Sequence, residues 1–278
     1  MKKLTLLFLG LALVLVARPA SANVFGKERR LPLLSARFPF DAVGMVVQTN
    51  LRGRRLESCT GTLVADGLVL TAAHCVASRG GDLDPTRRTW FLPRGLAGYR
   101  TKALAVWEGN WRRESDSRDG DWALILVENT GLARPKYLPV APSSPAVGSP
   151  LVLVGYSADF EDGRVASVDL NCQVRGITPD GVIQHDCQSF AGASGGPLLG
   201  LVSSPDGARW EIVGVHAAHK SEGTNGLRLP QYLARFANLG SSSAHFADRL
   251  SWLRSEISAR IPSAGSSSLA MASRLPPG

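Results

Sequence analysis

Three short stretches of the chain contain residue types that could act together in catalysis. They are TAAHCV with His74, GDWALILV with Asp121, and FAGASGGPLL with Ser194. A serine hydroxyl is a weak nucleophile near neutral pH, so it needs a base such as imidazole to take its proton. The imidazole needs a buried carboxylate that fixes its tautomer and stabilises the charge it acquires. The three stretches together predict acyl transfer through a serine nucleophile.

Glycines flank Ser194, which lets backbone N–H groups converge on a developing oxyanion with no side chain in the way. Each residue alone has an ordinary structural explanation, as a histidine at a strand end, an aspartate in a turn and a serine in a tight bend. Their joint occurrence favours a catalytic site. GASGG also fits the G-x-S-x-G turn of α/β-hydrolases, but there the acid and the histidine follow the serine. Here His74 and Asp121 precede it.

The motifs TAAHC, DWALI and GASGGP, in the order His, Asp, Ser, resemble those of the trypsin-like (chymotrypsin-fold) serine peptidases over residues 40–258. The resemblance implies two antiparallel six-stranded β-barrels with the active site in the cleft between them. It makes His74 the general base, Asp121 its orienting partner and Ser194 the nucleophile. The backbone N–H groups of Gly192 and Ser194 would form the oxyanion hole. No metal or other cofactor is implied.

The chain departs from trypsin next to the nucleophile. Trypsin has an aspartate there that pairs with a newly cut N-terminus, whereas this chain has Ala193, and residues 23–42 contain no Ile-Val-Gly-Gly motif. Activation through that ion pair is therefore not expected. The segment VGVHAAH, residues 213–219, and more loosely TNGLRL, residues 224–229, resemble the bacterial glutamyl-endopeptidase branch of the family.

Three residues are candidates for substrate binding. Gln188 lies six residues before Ser194, where a trypsin-like pocket would carry an aspartate, so a basic P1 residue would lack a buried counter-charge. Ser189 lies where glutamyl endopeptidases commonly carry Ser or Thr, and with His216 it could hydrogen-bond a P1 carboxylate. Two alternatives stay open: His216 as a plain pocket-wall residue, and a small or medium uncharged P1 residue. The histidines expected to be ordinary surface or strand residues are His185, His219 and His245.

The cysteines are Cys59, Cys75, Cys172 and Cys187. An even number in an exported chain favours two disulfides, and the separations 75 − 59 = 16 and 187 − 172 = 15 suit local pairs between neighbouring strands. A zinc site would more typically show a Cys-x-x-Cys knuckle, and the sequence has none. We therefore expect Cys59–Cys75 and Cys172–Cys187, and the resemblance makes the first the brace of the histidine loop.

Short β-branched or alternating runs separated by turn residues predict an all-β barrel or sandwich. Asp66-Gly67, between two such runs, is a strong hairpin signal. One helix is expected at Ala244–Arg260, where apolar residues recur every three or four positions. The predicted strands are residues 44–48, 59–64, 68–72, 102–107, 123–127, 151–154, 165–174, 181–185, 197–202 and 210–215.

The N-terminal 22 residues have the three parts of a secretory signal peptide. Lys2 and Lys3 precede an apolar run, and Ala20-Ser21-Ala22 offers small residues for cleavage near Ala22. This run is too short for a membrane span, so no stable membrane anchor is expected. Residues 23–42 then form an extended arm or a short pro-segment, residues 43–260 the protease domain, and residues 261–278 a disordered tail.

The amino-acid composition limits the classes of partner that are expected for this chain. The formal charge is +8, and removal of Lys2, Lys3 and Arg18 with the signal leaves +8 − 3 = +5. The basic residues are scattered in sequence with no aromatic ladder between them, so a solvated basic surface is expected rather than a nucleic-acid face. The sequence thus predicts a secreted or periplasmic monomer that cleaves proteins or peptides. The alternative is a catalytically silent protease fold that acts as a binding protein.

Overall fold

The computed structural model describes residues 22–34, 37–76, 78–79, 82–94, 98–111, 118–128, 137–204, 207–219 and 226–260. Both the predicted signal peptide, apart from Ala22, and the predicted disordered tail lie outside these residues. Most of the described chain forms two antiparallel β-barrels, as the resemblance implied. A single α-helix, α1 (Ala247–Arg260), follows them in the described part of the chain.

The strands succeed one another as β1 (Val24–Phe25), β2 (Leu31–Pro32), β3 (Val43–Asn50), β4 (Arg55–Ala65), β5 (Leu68–Thr71), β6 (Ser78–Arg79), β7 (Asp82–Leu83), β8 (Arg87–Pro93), β9 (Thr101–Glu108), β10 (Ala123–Val127), β11 (Pro150–Gly155), β12 (Ser167–Ile177), β13 (Val182–His185), β14 (Pro197–Ser204), β15 (Gly207–His219), β16 (Arg228–Leu229) and β17 (Asn238–Ser242). Short 3₁₀ turns lie at Phe40–Ala42, Ala73–Cys75, Glu161–Gly163, Ala234–Phe236 and Ser243–His245.

The first barrel closes in the order β10–β5–β4–β3–β8–β9, with β9 paired back to β10. Its inward side chains are apolar and fully buried, Leu63, Phe91 and Ile125 among them. The predicted hairpin is confirmed: β4 and β5 pair antiparallel, and the turn between them places Gly67 at φ +65°. A glycine suits that left-handed backbone conformation because it has no Cβ.

The second barrel has the order β11–β14–β15–β17–β13–β12 and closes through pairing of β11 with β12. Its core contains Leu151, Ile183 and Leu198. Helix α1 follows β17 and buries its apolar residues in the larger core, which belongs mainly to the first barrel. Among the described residues, no helix is both long enough and apolar enough to cross a membrane.

The sequence pattern missed two barrel strands. Strand β8 begins with Arg87-Arg88 and ends at Pro93, which hides it from a search for alternating apolar residues, yet it pairs with β3 over its whole length. Strand β17 reads NLGSS and is buried at every position, between β15 and β13. Small side chains are needed there, since a Cβ on Gly240 would contact Leu198 and Val215. Helix α1 also starts three residues later than predicted, because Ser243–His245 form a 3₁₀ turn.

The predicted N-terminal arm is built into the second barrel. Strand β1 pairs in parallel with β16, and β2 adds to the edge of β12. Asn23, Val24 and Phe25 are almost completely buried. The buried guanidinium of Arg30 forms ion pairs with Glu28 at 2.7 Å and with Asp159 at 2.8 Å. Residues 22–33 therefore contribute to the structure of the second barrel.

Candidate active site

His74 and Asp121 meet at one end of the first barrel. Strands β5 and β10 are antiparallel neighbours with Thr71 opposite Ala123, so the residues that follow β5 lie beside those that precede β10. The His74 Nδ1 atom lies 3.0 Å from Asp121 Oδ1 and 2.9 Å from Oδ2, and the His74 backbone N–H donates to Oδ1 at 3.1 Å. The carboxylate thus fixes both the ring and the backbone of His74.

The charge of Asp121 controls the titration of His74. Burial on its own would lower the pKa of His74, but the charge and hydrogen bond of Asp121 outweigh it and raise the pKa above the usual value. Glu57 adds to the rise, whereas the Arg118 guanidinium, 3.7 Å from Asp121 Oδ2, opposes it. Asp121 itself is fully buried. This arrangement favours an imidazole that gains a proton readily.

Ser194 lies in a turn that the first barrel helps to hold. The backbone N–H of Thr60, on β4, donates to the Ser194 carbonyl oxygen at 2.8 Å. Gly192 has φ +94° and Gly195 has φ +80°, both in the left-handed region. A Cβ on Gly195 would also collide with the Thr60 carbonyl oxygen and the Thr71 hydroxyl. Both glycines are therefore required by the local backbone.

The candidate nucleophile, Ser194, and the candidate base, His74, are not bonded to each other in this structure. Ser194 Oγ donates to the Ala217 carbonyl oxygen at 3.4 Å, and the buried His74 Nε2 has no hydrogen-bond partner among the described residues. Nucleophile–base bonds are often long without substrate and tighten when substrate binds. The backbone N–H groups of Gly192 and Ser194 also donate to no acceptor in the described part of the chain. The donors that an oxyanion needs are thus unused.

Gln188, which the sequence predicted to bind substrate, directs its polar groups to the N-terminal arm. Its side-chain N–H group donates to the carbonyl oxygens of Phe25 at 2.6 Å and Lys27 at 2.7 Å. Its Oε1 accepts from the Arg29 backbone N–H at 2.7 Å. Gln188 is also 2% exposed. The buried Asp169 carboxylate accepts from the Gln188 backbone N–H at 2.8 Å and from Arg29 at 3.0 Å. The amide secures the arm.

Ser189 is fully buried but keeps a free donor. Its Oγ accepts from Asn238 Nδ2 at 3.1 Å, and its backbone N–H donates to the Asn23 carbonyl oxygen at 3.3 Å. The Ser189 hydroxyl proton has no acceptor among the described residues. Asn238 also accepts from the Asn23 backbone N–H at 2.7 Å, so the arm supports the segment that contains Ser189.

His216 is linked to a second buried histidine. His185 Nδ1 accepts from the Cys187 backbone N–H at 3.2 Å, so in its neutral form the ring carries its proton on Nε2. That Nε2 lies 3.2 Å from His216 Nδ1 and donates to it. His216 then carries its own proton on Nε2, which is buried with no partner among the described residues. The pair presents one unused N–H donor.

Both histidines of this pair are neutral near physiological pH. Burial lowers the pKa of His185 to about 3, against a smaller opposing effect of Asp169. Burial, followed by the charges of His185 and His74, lowers the pKa of His216 well below its usual value. The His216 carbonyl oxygen accepts from the Gly195 N–H at 2.7 Å, which ties the pair to the turn that holds Ser194.

The structure brings together the two cysteine pairs expected from the sequence. Cys59–Cys75 joins β4 to the turn that contains His74, and Cys172–Cys187 joins β12 to the segment after β13. Cys59, His74 and Cys75 are the one group of three potential metal ligands within reach of each other in the described residues. Their two sulfurs are bonded to each other, so they are not thiolate ligands.

Three features near the site were missed by sequence reasoning. His185 was expected to be an ordinary residue, but it is completely buried against His216. The bonds between Asn23 and Asn238 join residues 215 positions apart, which no local pattern reveals. Trp111 lies against the His74 ring, with centroids 5.8 Å apart. Only the sheet topology brings these residues to the site.

Comparison with known proteins places these features in a family. The model of the trypsin-like peptidase domain matches residues 59–214. Human serine protease 56 is 31% identical over 205 residues, which cover 65% of this chain and 33% of that protein. Human serine protease 23 is 27% identical over 192 residues, or 60% of this chain and 50% of that protein. The chain thus spans about a third to a half of these relatives.

A solved structure supports the same fold. A Glu endopeptidase in complex with MPD superposes with a TM-score of 0.62 and 19% identity, covering 84% of this chain and 99% of that chain. At this identity the likeness shows the fold alone. The family match spans more than half of the 278 residues, and so the chain belongs to the trypsin-like peptidase domain family.

Proposed function

We propose that this chain is an exported serine endopeptidase that hydrolyses peptide bonds through an acyl-enzyme. The observation that carries the proposal is the buried Asp121 carboxylate, both of whose oxygens lie within 3.0 Å of His74 Nδ1. It leaves His74 Nε2 as the atom that can accept a proton. The unused N–H donors of Gly192 and Ser194 support the same function.

Each step uses residues of this chain. His74 Nε2 takes the Ser194 hydroxyl proton as Oγ attacks the carbonyl carbon, and Asp121 stabilises the imidazolium. The N–H groups of Gly192 and Ser194 stabilise the oxyanion. His74 then gives its proton to the leaving amine, and the acyl-enzyme forms. A water that is deprotonated by His74 hydrolyses the acyl-enzyme and restores Ser194.

For the substrate we propose a preference for glutamate at P1. Ser189 and His216 each keep one buried donor proton, and two neutral donors suit a carboxylate acceptor. No lysine or arginine side chain bonds to either residue in the described part of the chain. A small uncharged P1 residue is the competing preference, and it would leave those donors unpaired, which is unfavourable.

We place the mature enzyme outside the cytoplasm, in the periplasm or the medium, with the signal removed near Ala22 and the protease domain at residues 43–260. Two disulfides suit an oxidising compartment. The burial of Asn23, Val24 and Phe25 favours an arm that stays with the mature enzyme over a pro-segment that is discarded.

The test is to treat the purified mature protein with a fluorophosphonate probe and to map the label by mass spectrometry. We expect one label on Ser194, and none in the variant Ser194→Ala. Ser189→Ala is the matched control, since it removes a serine hydroxyl in the same loop and should keep the label. If the protein is folded, with the Asn23–Asn238 contact intact, and no serine is labelled, the result would favour the alternative function, a catalytically silent binding protein.

A further inference from the structure

The fold gathers basic residues that are scattered in the sequence. They come from the β3–β4 turn, from β8 and from the start of β9, and together they form one face of the first barrel, here named the arginine edge. Its members are Arg52, Arg54, Arg55, Arg88, Arg100 and Lys102. Strand pairing explains the grouping, since β3 lies between β4 and β8, and β8 lies beside β9.

The register places Arg55, Arg88 and Lys102 on a common outer surface, whereas Arg87 lies on the opposite face of β8 and donates to the buried Gln48 Oε1 at 3.1 Å. Thr49 pairs with Arg55 on one side and with Arg88 on the other, so the three side chains share one face of the sheet. Two residues along, on the same face, Trp90 pairs with Lys102. The Arg52–Arg55 turn is held by Asn50, whose Oδ1 accepts from the N–H groups of Arg52 and Arg54 at 3.0 and 2.9 Å. These bonds give the Arg52–Arg55 turn a fixed backbone conformation on this face.

The arginine edge carries an excess of positive charge. None of its six cations forms an ion pair with a residue that the structure describes. The acids that adjoin it are Glu57, Asp82, Asp84 and Glu128. Even if all four are counted, the edge keeps +6 − 4 = +2 of the +5 on the mature chain. Asp84 is also buried and accepts from Thr86. This concentration of charge calls for an anionic partner.

Apolar side chains are exposed on the same face. Leu51 is 57% exposed and Leu56 40% exposed, on either side of the Arg52–Arg55 turn. A cavity of about 350 Å³ lies beside them, with Leu51, Leu83 and Leu104 in its apolar part and cations of the edge at its rim. Exposed leucines between arginines are costly in water and are typical of segments that enter the headgroup region of a bilayer.

We propose that the arginine edge binds reversibly to anionic phospholipid surfaces. The arginines contact lipid phosphates, and Leu51 and Leu56 enter the boundary between headgroups and acyl chains. A nucleic acid fits less well, because base stacking needs an open aromatic ring. Trp90 has its ring face covered by the Arg100 guanidinium, 4.3 Å from the ring centroid. Binding through this surface would localise the enzyme at a membrane. The binding does not depend on catalytic activity.

The test is co-sedimentation of the mature protein, as Ser194→Ala, with vesicles of phosphatidylcholine alone or mixed with phosphatidylglycerol. We expect binding only to the mixed vesicles. The triple variant Arg52→Gln/Arg54→Gln/Arg55→Gln should bind at least about tenfold more weakly. The control Arg37→Gln/Arg164→Gln/Arg235→Gln removes the same charge from exposed sites elsewhere and should bind like the parent. Thermal unfolding checks that each variant is folded.

Two further arms separate the sources of binding. Leu51→Ser/Leu56→Ser should keep binding at low salt and lose it at high salt, since charge is screened but apolar insertion is not. Inorganic phosphate should reduce binding to vesicles only as much as its contribution to the ionic strength explains. Four outcomes would each overturn the proposal. The two triple variants could lose binding equally, or the leucine variant could bind as well as the parent. Free phosphate could compete for binding, or the protein could bind a DNA duplex without binding vesicles.

Discussion

Two buried imidazoles near the Ser194 turn have opposite electrostatic settings. His74, from the first barrel, lies against a carboxylate, and its pKa is raised although burial acts against it. His216, from the second barrel, bonds to another neutral histidine, and its pKa is lowered by burial first and by neighbouring charges second. Burial acts in the same direction in both cases, so the bonded partner decides the outcome.

The contrast separates two jobs that histidine performs. A base must accept a proton during the reaction, which the charge of Asp121 supports. A recognition residue must keep one tautomer and donate the same proton each time, which the bond from His185 to His216 Nδ1 supports. A disulfide lies near each site, at Cys75 beside His74 and at Cys187 beside His185, the residue that bonds to His216.

Removal of the charge beside His74 should have the largest effect. Asp121→Asn keeps the shape of the side chain but favours the wrong tautomer of His74, and kcat should fall by about 10⁴-fold. Steady-state kinetics on peptide substrates measure it. Glu57→Gln is the control: it also removes a negative charge that acts on His74, but Glu57 makes no hydrogen bond to the ring, and kcat should change severalfold at most. Similar losses in both variants would contradict the assigned role of Asp121.

Removal of each disulfide should separate the two regions by their kinetic parameters. Cys59→Ser/Cys75→Ser and Cys172→Ser/Cys187→Ser open loops of 16 and 15 residues. Each variant should lose about 3 kcal/mol of unfolding free energy. The first should mainly lower kcat because it releases the His74 turn, and the second should mainly weaken P1 discrimination. Urea unfolding and kinetics measure both, and identical kinetic defects would argue against the division.

Removal of the donors in the pocket should affect only some substrates. His216→Ala or Ser189→Ala leaves a P1 carboxylate short of a hydrogen bond, so kcat/KM for Glu at P1 should fall about 10- to 100-fold. Cleavage after Ala should change far less. His245→Gln, in a half-exposed histidine away from the pocket, is the control. Equal losses after Glu and Ala would make His216 a plain structural residue of the pocket wall.

The histidine pair should make stability depend on pH in a set direction. Both folded-state pKa values are lowered, so the unfolded chain binds protons first, at its usual pKa of about 6.5. The contribution is complete above that pH and is lost as pH falls below it. For His185 the loss runs from about pH 6.5 towards 3, by up to about 1.4 kcal/mol per pH unit, and His216 adds a loss in the same direction. His74 gives no slope there, since its pKa is raised and its contribution is lost only at higher pH.

Urea unfolding of Ser194→Ala at several pH values measures that slope. His185→Gln in the same background should flatten it, whereas His245→Gln should leave it unchanged. An unchanged slope in His185→Gln would show that the buried pair does not carry this part of the pH dependence.

Apolar alternation and turn residues are local signals, and they predicted an all-β barrel or sandwich and most of its strands. The division into two barrels came only from the resemblance to the peptidase family. The local pattern failed at β8 and β17, where arginines, proline and small polar residues occupy barrel positions. In both strands, pairing with the neighbouring strands holds a β conformation that the local sequence pattern does not indicate. Tertiary pairing overrides propensity in such strands.

For the site, the spacing of motifs identified His74, Asp121 and Ser194 as candidates, and the structure brings the first two into direct contact. The environment of Gln188 and the burial of His185 were not predictable. Gln188 bonds to backbone atoms of the arm about 160 residues earlier in the chain. Such partners depend on the fold as a whole, and sequence spacing contains no record of them.

The arm also bears on the order in which the molecule can assemble. Asn23 is among the first residues of the described chain, yet its hydrogen bonds include those to Asn238 and Phe236, more than 200 positions away. Contacts of such long sequence separation form late, because a large loop must close before they stabilise anything. The wall beside Ser189 is then completed only after nearly the whole chain has folded. Under the proposed function, a partly synthesised chain would lack a finished binding site beside Ser189, which would delay proteolysis until folding is complete.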